Sequence, residues 1–381
     1  MDFSLNHQQK QLVTQVKELV EQEIKPYVLV TGFSRQEAFD PHLVNQLSKL
    51  NLVCPTIPEE YGGLGLDIFT TALVIEEIAA GCPGLAAVVD TNVHAAQPIL
   101  LAGSKAQKER YLPLLAGSKV NIASFALTEP SGGSDLNSMH TLARKTSRGF
   151  IINGCKDYIF NAPEAAFVSM FAMTDKLQKK ASLRCFIIPA GTAGMNIGKI
   201  RDIAALEYAP MAEIIFRDAV IDSDMVVKLD ESYSGYLLLS QTFDIGRVVV
   251  GATSVGIARA AYELAYEYAE NRLQFGKKIK NHQAVAHSLV EMATRIEMAR
   301  LMTWKACWLI DQGDDYTIAS AMAKLSASVI AQEVTGMAAD ILASRAFEKG
   351  SRVEQLLRDA RVLSTVEGTN CIQRNIIASL L

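Results

Sequence analysis

Ile245, Val248, Val249, Ala252, Val255, Ala258, Tyr262, Ala265, Tyr266 and Ala269 recur along the chain mostly in steps of three and four. That period draws one apolar stripe along a single long helix. Such a stripe holds its conformation by packing against other helices rather than by propensity alone. A helical bundle is therefore the first requirement, and further helical patterns over Ala284 to Gln312, Tyr316 to Ala343 and Val353 to Ser364 supply its other members.

Upstream of the bundle the texture differs. Runs such as GFIING, FVSMFAM, RCFIIPA and AEIIFRDAVI are short, β-rich and bounded by glycine, asparagine, proline or charge. No long helix separates them, which predicts a small antiparallel β-domain rather than βαβ units. The chain begins with helix again. Asn6 with Gln9 forms a capping signature ahead of Leu12, Val13, Val16, Leu19 and Val20. Pro41 to Leu50 and Thr70 to Ala80 follow. The glycines of PEEYGGLG, between these two, lack a full G-x-G-x-x-G after a strand and read as backbone corners. The expected division is a helical domain over 1–120, a β-domain over 121–230 and a helical bundle over 231–381.

At 381 residues, 49% hydrophobic and 20% charged, the chain can bury a core of two or three layers. Its net charge of -4 gives no electrostatic footprint for nucleic acid. Six cysteines without a C-x-x-C pair, and six histidines without H-x-x-x-H, favour reduced thiols and no protein-bound metal. No basic stretch leads into an apolar core at the start, and no uninterrupted apolar run approaches a membrane span. A cytoplasmic protein with no membrane partner is expected.

Five stretches have the composition of a site. ALTEPSGGSD, Ala126 to Asp135, offers backbone N–H groups with Thr128 and Ser134, which suits an anion or a polar ring edge and equally a plain turn. In GCKDYIFNA, Tyr158 and Phe160 alternate on a strand and share a face, either as core or as the wall of a flat ligand. Arg272 and the Lys277–Lys278 pair, past the long helix, can hold phosphates or answer the helix dipole. Asp244 and Arg247, three apart on that helix, can simply pair. Near the end, TVEGTNCIQR carries Glu367, the one acid after Arg361. The residues alone fit a solvated turn, with Gly368 breaking one helix and Thr369 capping the next.

Taken together and in order, PEEYGGLG, GSKAQKERYLP, ALTEPSGGSD, GCKDYIFNA, DIGR, RLQFG, RDAR and VEGTNCIQR resemble the acyl-CoA dehydrogenase family over essentially the whole chain. The resemblance implies an N-terminal helical domain, a middle β-domain and a C-terminal four-helix bundle. It implies FAD as cofactor, a homotetramer or homodimer in which a neighbour completes the FAD site, and an electron-transferring flavoprotein as acceptor. The implied reaction is α,β-dehydrogenation of an acyl thioester. Glu367, by position the glutamate of the E-G-T motif, would remove the α-proton, and flavin N5 would take the β-hydride. A carboxylate suits that task in a dry pocket where burial raises its proton affinity.

By the same resemblance, Phe125, Leu127, Thr128 and Ser134 would meet the flavin ring, Ser134 also the thioester arm. Tyr158, Ile159 and Phe160 would form the strand beside it. Arg272, Phe275, Gln283 and Asp340 would belong to the FAD diphosphate and adenosine region across a subunit interface, and Thr369 and Cys371 to FAD beside the base. Asp244, Arg247 and Gly368 would meet the substrate, and Asp90 and His94 would line a pocket for a short, branched or polar acyl group.

The chain departs from the family at three places. The usual W-I-T or W-I-S strand reads Tyr158-Ile159-Phe160, without the hydroxyl that would bond N5. The usual Q-x-x-G-G-x-G loop reads DILASRA, Asp340 to Ala346, with side chains where glycines permit close approach. Cys371 stands where Gln or Glu is usual. Two further readings follow: oxidation of an acyl or aminoacyl group on a carrier protein in a natural-product pathway, suggested by NAPEAAFVSMFAMT and KACWLIDQGDD, and a flavin-poor thioester-binding relative without dehydrogenase activity.

Overall fold

The computed structural model describes residues 3–31, 39–117, 121–229 and 233–381. The domain boundaries expected at 120 and 230 lie outside the described residues. The first helix, α1 (His7–Leu19), opens on the predicted capping box: the Gln9 amide donates to Asn6 Oδ1 at 2.9 Å and the Asn6 amide to Gln9 Oε1 at 3.0 Å. It continues through a single π turn, Val20–Ile24, into α2 (Lys25–Thr31). Asp40 and Pro41 start α3 (Pro41–Ser48), the acid capping and the proline occupying the first turn where no N–H is needed. Asp67 caps α4 (Ile68–Gly81) through the Thr70 amide at 2.7 Å. Next come α5 (Pro83–Ala102) and α6 (Lys105–Tyr111), the latter with its own Ser104–Gln107 capping box. The PEEYGGLG glycines are backbone corners: a Cβ on Gly63 would stand 2.0 Å from the Ile57 carbonyl oxygen.

The middle region holds β1 (Ile122–Ala126), β2 (Leu142–Lys145), β3 (Gly149–Phe160), β4 (Ala165–Met173), β5 (Leu183–Pro189), β6 (Met195–Ile200) and β7 (Met211–Asp222). Their order is β1-β4-β2-β3-β7-β6, with β5 on β4. The sheet is mixed rather than antiparallel throughout, which corrects the expectation. β4 runs parallel to β1 and to β2, while β2/β3, β3/β7, β4/β5 and β6/β7 are antiparallel. The β2–β3 pair forms locally and inserts between β1 and β4 in sequence, so β4 returns along β1 in the same direction. A small apolar core around Ile152, Phe186, Ile214 and Phe216 is formed among the strands themselves.

The bundle starts at α7 (Gly235–Asn271), capped by Ser234, and carries the long stripe that the periodicity demanded. Val248, Val249, Ala252, Val255, Ala258, Ala265 and Ala269 are buried, whereas Tyr266 is exposed. By length and composition α7 is apolar enough to cross a bilayer, yet 78% of its most apolar window is buried inside the protein, as in a core helix. A short hairpin of β8 (Leu273–Gln274) and β9 (Lys277–Lys278) leads to α8 (Gln283–Gln312), α9 (Thr317–Leu342), α10 (Arg352–Val362) and α11 (Asn370–Leu380). Tertiary bonds tie the bundle to the first domain. Asp311 on α8 accepts the Ile68 and Phe69 amides at 2.8 Å each, a cap for α4 supplied from another domain. Arg259 on α7 grips Glu77 through both guanidinium nitrogens, at 2.6 and 2.7 Å.

Candidate active site

Between the sheet and the bundle lies a cavity of about 1530 Å³. A drug-sized ligand needs roughly 300–1,000 Å³, so there is room for two sizeable groups side by side. One wall comes from the β-domain. Phe125 and Leu127 leave β1, Thr128, Gly133 and Ser134 belong to the loop that follows, and Tyr158, Ile159 and Phe160 end β3. The other wall is built from α7, α9, α10 and the turn around Glu367.

The strand wall is not regular. The register of β3 against β7 shifts between Lys156 and Ile159, and Tyr158 sits at φ +56°. All three residues from Tyr158 to Phe160 border the cavity. A bulge, not simple alternation, therefore places the aromatics there. The bulge is pinned by Arg201, which holds Asp157 Oδ1 and Oδ2 at 2.9 and 2.7 Å and lies 5.0 Å over the Tyr158 ring. Beneath the loop, Glu129 and Lys156 form a buried pair at 2.8 Å. Burial raises the Glu129 carboxyl, but the Lys156 charge and hydrogen bonds from His140 and Thr141 outweigh it and bring it below the usual value. The same burial pulls Lys156 down to about 8 against the opposing charge of Glu129.

Opposite, the chain turns sharply at Glu367 (φ +52°) and Gly368 (φ +82°). Left-handed backbone at a glutamate costs about 1–3 kcal/mol and persists only where its surroundings enforce it. They do. The Gln373 amide donates to the carbonyls of Glu367 and Gly368 at 2.9 and 3.0 Å. Lys324 Nζ, from α9, donates to the Gly368 carbonyl and to Asn370 Oδ1, both at 2.9 Å. Burial pulls Lys324 down to about 8, opposed by the charge of Glu367. Thr369 caps α11 through the Ile372 amide at 3.2 Å, as the turn reading expected.

The Glu367 carboxylate faces a partner that the sequence reading had placed in an acyl pocket. His94 Nε2 stands 3.0 Å from Glu367 Oε2, and His94 Nδ1 stands 3.0 Å from Asp90 Oδ1. These three do not form a metal-holding set among the described residues. His94 borders the cavity, whereas Asp90 lies behind it, one turn back on α5, and does not. That corrects the expectation for Asp90, which reaches the cavity only through the imidazole.

Asp244 and Arg247 do pair, and Asp244 Oδ2 also accepts the Thr317 hydroxyl at 3.0 Å. Arg247 borders the cavity and its Nε has no hydrogen-bond partner among the described residues. Asp244 does not border the cavity. Gly368 and Thr369 border it too; Cys371 is exposed and does not, since α11 turns Ile372, Ile376, Ser379 and Leu380 that way. Arg272, Phe275, Gln283 and Asp340 are exposed and stand apart from this cavity. Lys278 spends its charge on Glu270.

The lining suits a flat, polar-edged cofactor beside a thioester. Hydroxyls of Thr128 and Ser134 and the bulged strand border one side, the carboxylate the other. A Cβ on Gly133 would meet Thr128 Oγ1 at 3.2 Å, so the loop packs tightly without crowding the cavity. Three buried polar atoms lack a hydrogen-bond partner among the described residues and belong to residues bordering it: Glu367 Oε2, His94 Nε2 and Arg247 Nε. Sequence reasoning missed Lys324 and the His94–Glu367 contact. The one available signal was Asp90 and His94 spaced for a single helix face.

Comparison with known proteins identifies the family. Family models for the N-terminal, middle and C-terminal domains of acyl-CoA dehydrogenase match residues 6–119, 124–219 and 234–381. The chain is 35% identical over 367 residues to the mitochondrial short-chain specific acyl-CoA dehydrogenase of Bos taurus, covering 96% of this chain and 88% of that one. It superposes on butyryl-CoA dehydrogenase from Megasphaera elsdenii with a TM-score of 0.94 at 31% identity, covering 100% and 99% of the two chains. The prolyl acyl carrier protein oxidase AnaB gives a TM-score of 0.93 at 29% identity, covering 99% of each chain. The chain belongs to the acyl-CoA dehydrogenase family and is an oxidoreductase acting on CH–CH groups.

Proposed function

We propose that the chain is an FAD-dependent dehydrogenase of a short-chain acyl-CoA, with Glu367 removing the α-proton. The observation that carries this reading is the Glu367 corner, a carboxylate held at the cavity floor opposite the Tyr158–Phe160 strand. Thr128, Ser134 and the backbone of Tyr158 to Phe160 hold the cofactor's ring, and FAD, when bound, supplies the hydride acceptor. Arg247, tethered by Asp244, retains an unpaired Nε for the carrier arm of the thioester. Glu367 takes the α-proton while its own backbone N–H is available to the thioester carbonyl, which makes the α-hydrogen acidic. Apolar side chains, Phe125, Leu127, Phe243 and Val366, line the cavity that the carboxylate borders. The likeness to short-chain specific acyl-CoA dehydrogenases supports a short acyl chain. The functional unit we propose is a homo-oligomer re-oxidised by an electron-transferring flavoprotein.

The test is anaerobic mixing of FAD-loaded protein with butyryl-CoA, followed by absorbance and product analysis. Bleaching of the flavin with formation of the 2,3-enoyl thioester is the expected result. Failure with every short acyl-CoA, and turnover with a prolyl or acyl carrier protein, favours a second reading. That reading has its own support in the likeness to AnaB and in the NAPEAAFVSMFAMT and KACWLIDQGDD segments.

A further inference from the structure

His94 is the buried titratable group that an acyl thioester mechanism leaves without a task. Its ring is locked from three sides. A Cβ on Gly246 of α7 would stand 1.7 Å from Nε2, so only glycine there lets the imidazole in. Phe125 lies 5.7 Å away, centroid to centroid. The Asp90 backbone oxygen and its Oδ1 each lie 3.0 Å from Nδ1.

Proton counting then decides the state of the ring. Nδ1 faces two oxygens of Asp90 and carries a hydrogen. A neutral ring would present a bare lone pair at Nε2 to Glu367 Oε2, 3.0 Å away. Two bare lone pairs in contact there repel; neither atom has a hydrogen-bond partner among the described residues, so the contact is one of charge pairing, which a proton on the ring supplies.

We propose that His94, held by Asp90 and seated on Gly246, is a positioning residue for the base: as imidazolium it fixes one carboxylate oxygen of Glu367 and offsets the burial of its charge. The other oxygen takes the α-proton. In that step the C–H bond breaks, its electron pair stays with the substrate, an O–H bond forms on Glu367, and His94 keeps its own proton throughout. The inference rests on the reading of Glu367 as the base.

The electrostatics agree. Burial alone would favour neutral imidazole, but the charges of Glu367 and Asp90 outweigh it and hold His94 protonated well above its usual range. Asp90 itself is raised by burial and only partly relieved by His94. From α9, Lys324 contributes a second positive charge near the corner. From α7, Arg247 is engaged with Asp244, and from β1 the ring meets the uncharged Phe125. Losing His94 therefore removes one of two compensating charges rather than all of them.

Two measurements test this. In the first, ¹⁵N-histidine NMR of the FAD-loaded protein at pH 7.5 follows the one of six histidine signals that His94→Gln removes. A doubly protonated ring is expected, becoming neutral at lower pH in Glu367→Gln. A neutral ring in the wild type overturns the proposal. In the second, kcat/KM for the thioester turned over is measured from pH 5.5 to 9. His94→Gln should move the acid limb up by about one pH unit and lower the plateau about tenfold. A lowered plateau with an unmoved limb assigns His94 to packing. A change in KM between polar and apolar acyl groups alone assigns it to the acyl pocket. Either outcome overturns the inference while leaving the base in place. If Glu367→Gln keeps its activity, the base reading falls, and the NMR result still reports on His94.

Discussion

Two corners of this chain share one backbone geometry and differ in everything around it. Glu367-Gly368 turns at φ +52° and +82°, and Phe275-Gly276 at +51° and +78°. The first is closed within the chain by Gln373, Lys324 and His94. The second ends a two-residue hairpin with Phe275 92% exposed and only the edge of His282 near it, at 5.9 Å. A positive-φ residue ahead of glycine is a local device. What it does depends on contacts that local sequence does not encode. At Glu367 the strain is offset by hydrogen bonds that aim a carboxylate into a cavity. At Phe275 the same backbone geometry leaves an aromatic ring 92% exposed.

The largest expected effect tests the closed corner directly. Glu367→Gln preserves shape and the Gln373 bonds, which go to backbone, but cannot accept a proton. Rapid-mixing assays should show flavin bleaching slowed by a factor of about a hundred or more, with the melting temperature nearly unchanged. Next is the support. Lys324→Met removes one of two donors from each of two acceptors, the Gly368 carbonyl, which keeps Gln373, and Asn370 Oδ1, which keeps Ser328. Urea unfolding should report a loss of about 1–3 kcal/mol, and turnover should fall because the corner loosens. An unchanged turnover with lost stability would separate the corner's rigidity from its chemistry.

Gly246→Ala sharpens the comparison from the other side of His94. Its methyl would fall on the ring, so either His94 leaves the carboxylate or α7 shifts. Overpacking of this kind costs about 1–3 kcal/mol. The kinetic consequence should resemble His94→Gln, with the acid limb of kcat/KM moved upward. A destabilised variant with an unmoved limb would mean that the ring finds another way to reach Glu367.

Much of the fold was legible because it is written in local period. The α7 stripe, the Asn6–Gln9 capping box and the bounds of α8, α9 and α10 follow from spacing and end residues that interact within a few positions. The parallel ladders of the sheet were not legible, because β1 and β4 pair across an intervening hairpin and no residue pattern marks that direction. The site divides the same way. Thr128, Ser134, Tyr158 to Phe160 and Glu367 lie on segments recognisable one at a time, and each borders the cavity. His94 touching Glu367, and Gly246 making room for it, join three elements far apart in the chain. Asp90 and His94 showed their shared helix face, but nothing in either residue named the third member.

The smallest effect on the isolated chain belongs to the open corner, and it carries the rest of the comparison. Phe275 buries almost nothing here, so Phe275→Ala should change chain stability by no more than about 0.5 kcal/mol. The strain remains, since alanine at the same φ is no freer than phenylalanine. If the ring is held out for a second copy of the chain, its loss should appear in association. Sedimentation velocity over a dilution series should then show the variant dissociating at a higher concentration than the wild type, with FAD released more readily as subunits part. Asp340→Gln, an exposed position in the last turn of α9 where DILASRA begins, supplies the counterpart: removing this charge from the helix C-terminus should raise stability by no more than about 0.5 kcal/mol and slow FAD loss on dialysis if a neighbouring cofactor lies against it. Unchanged sedimentation together with unchanged FAD retention in both variants would break the comparison, since the open corner would then be strained to no purpose that assembly explains.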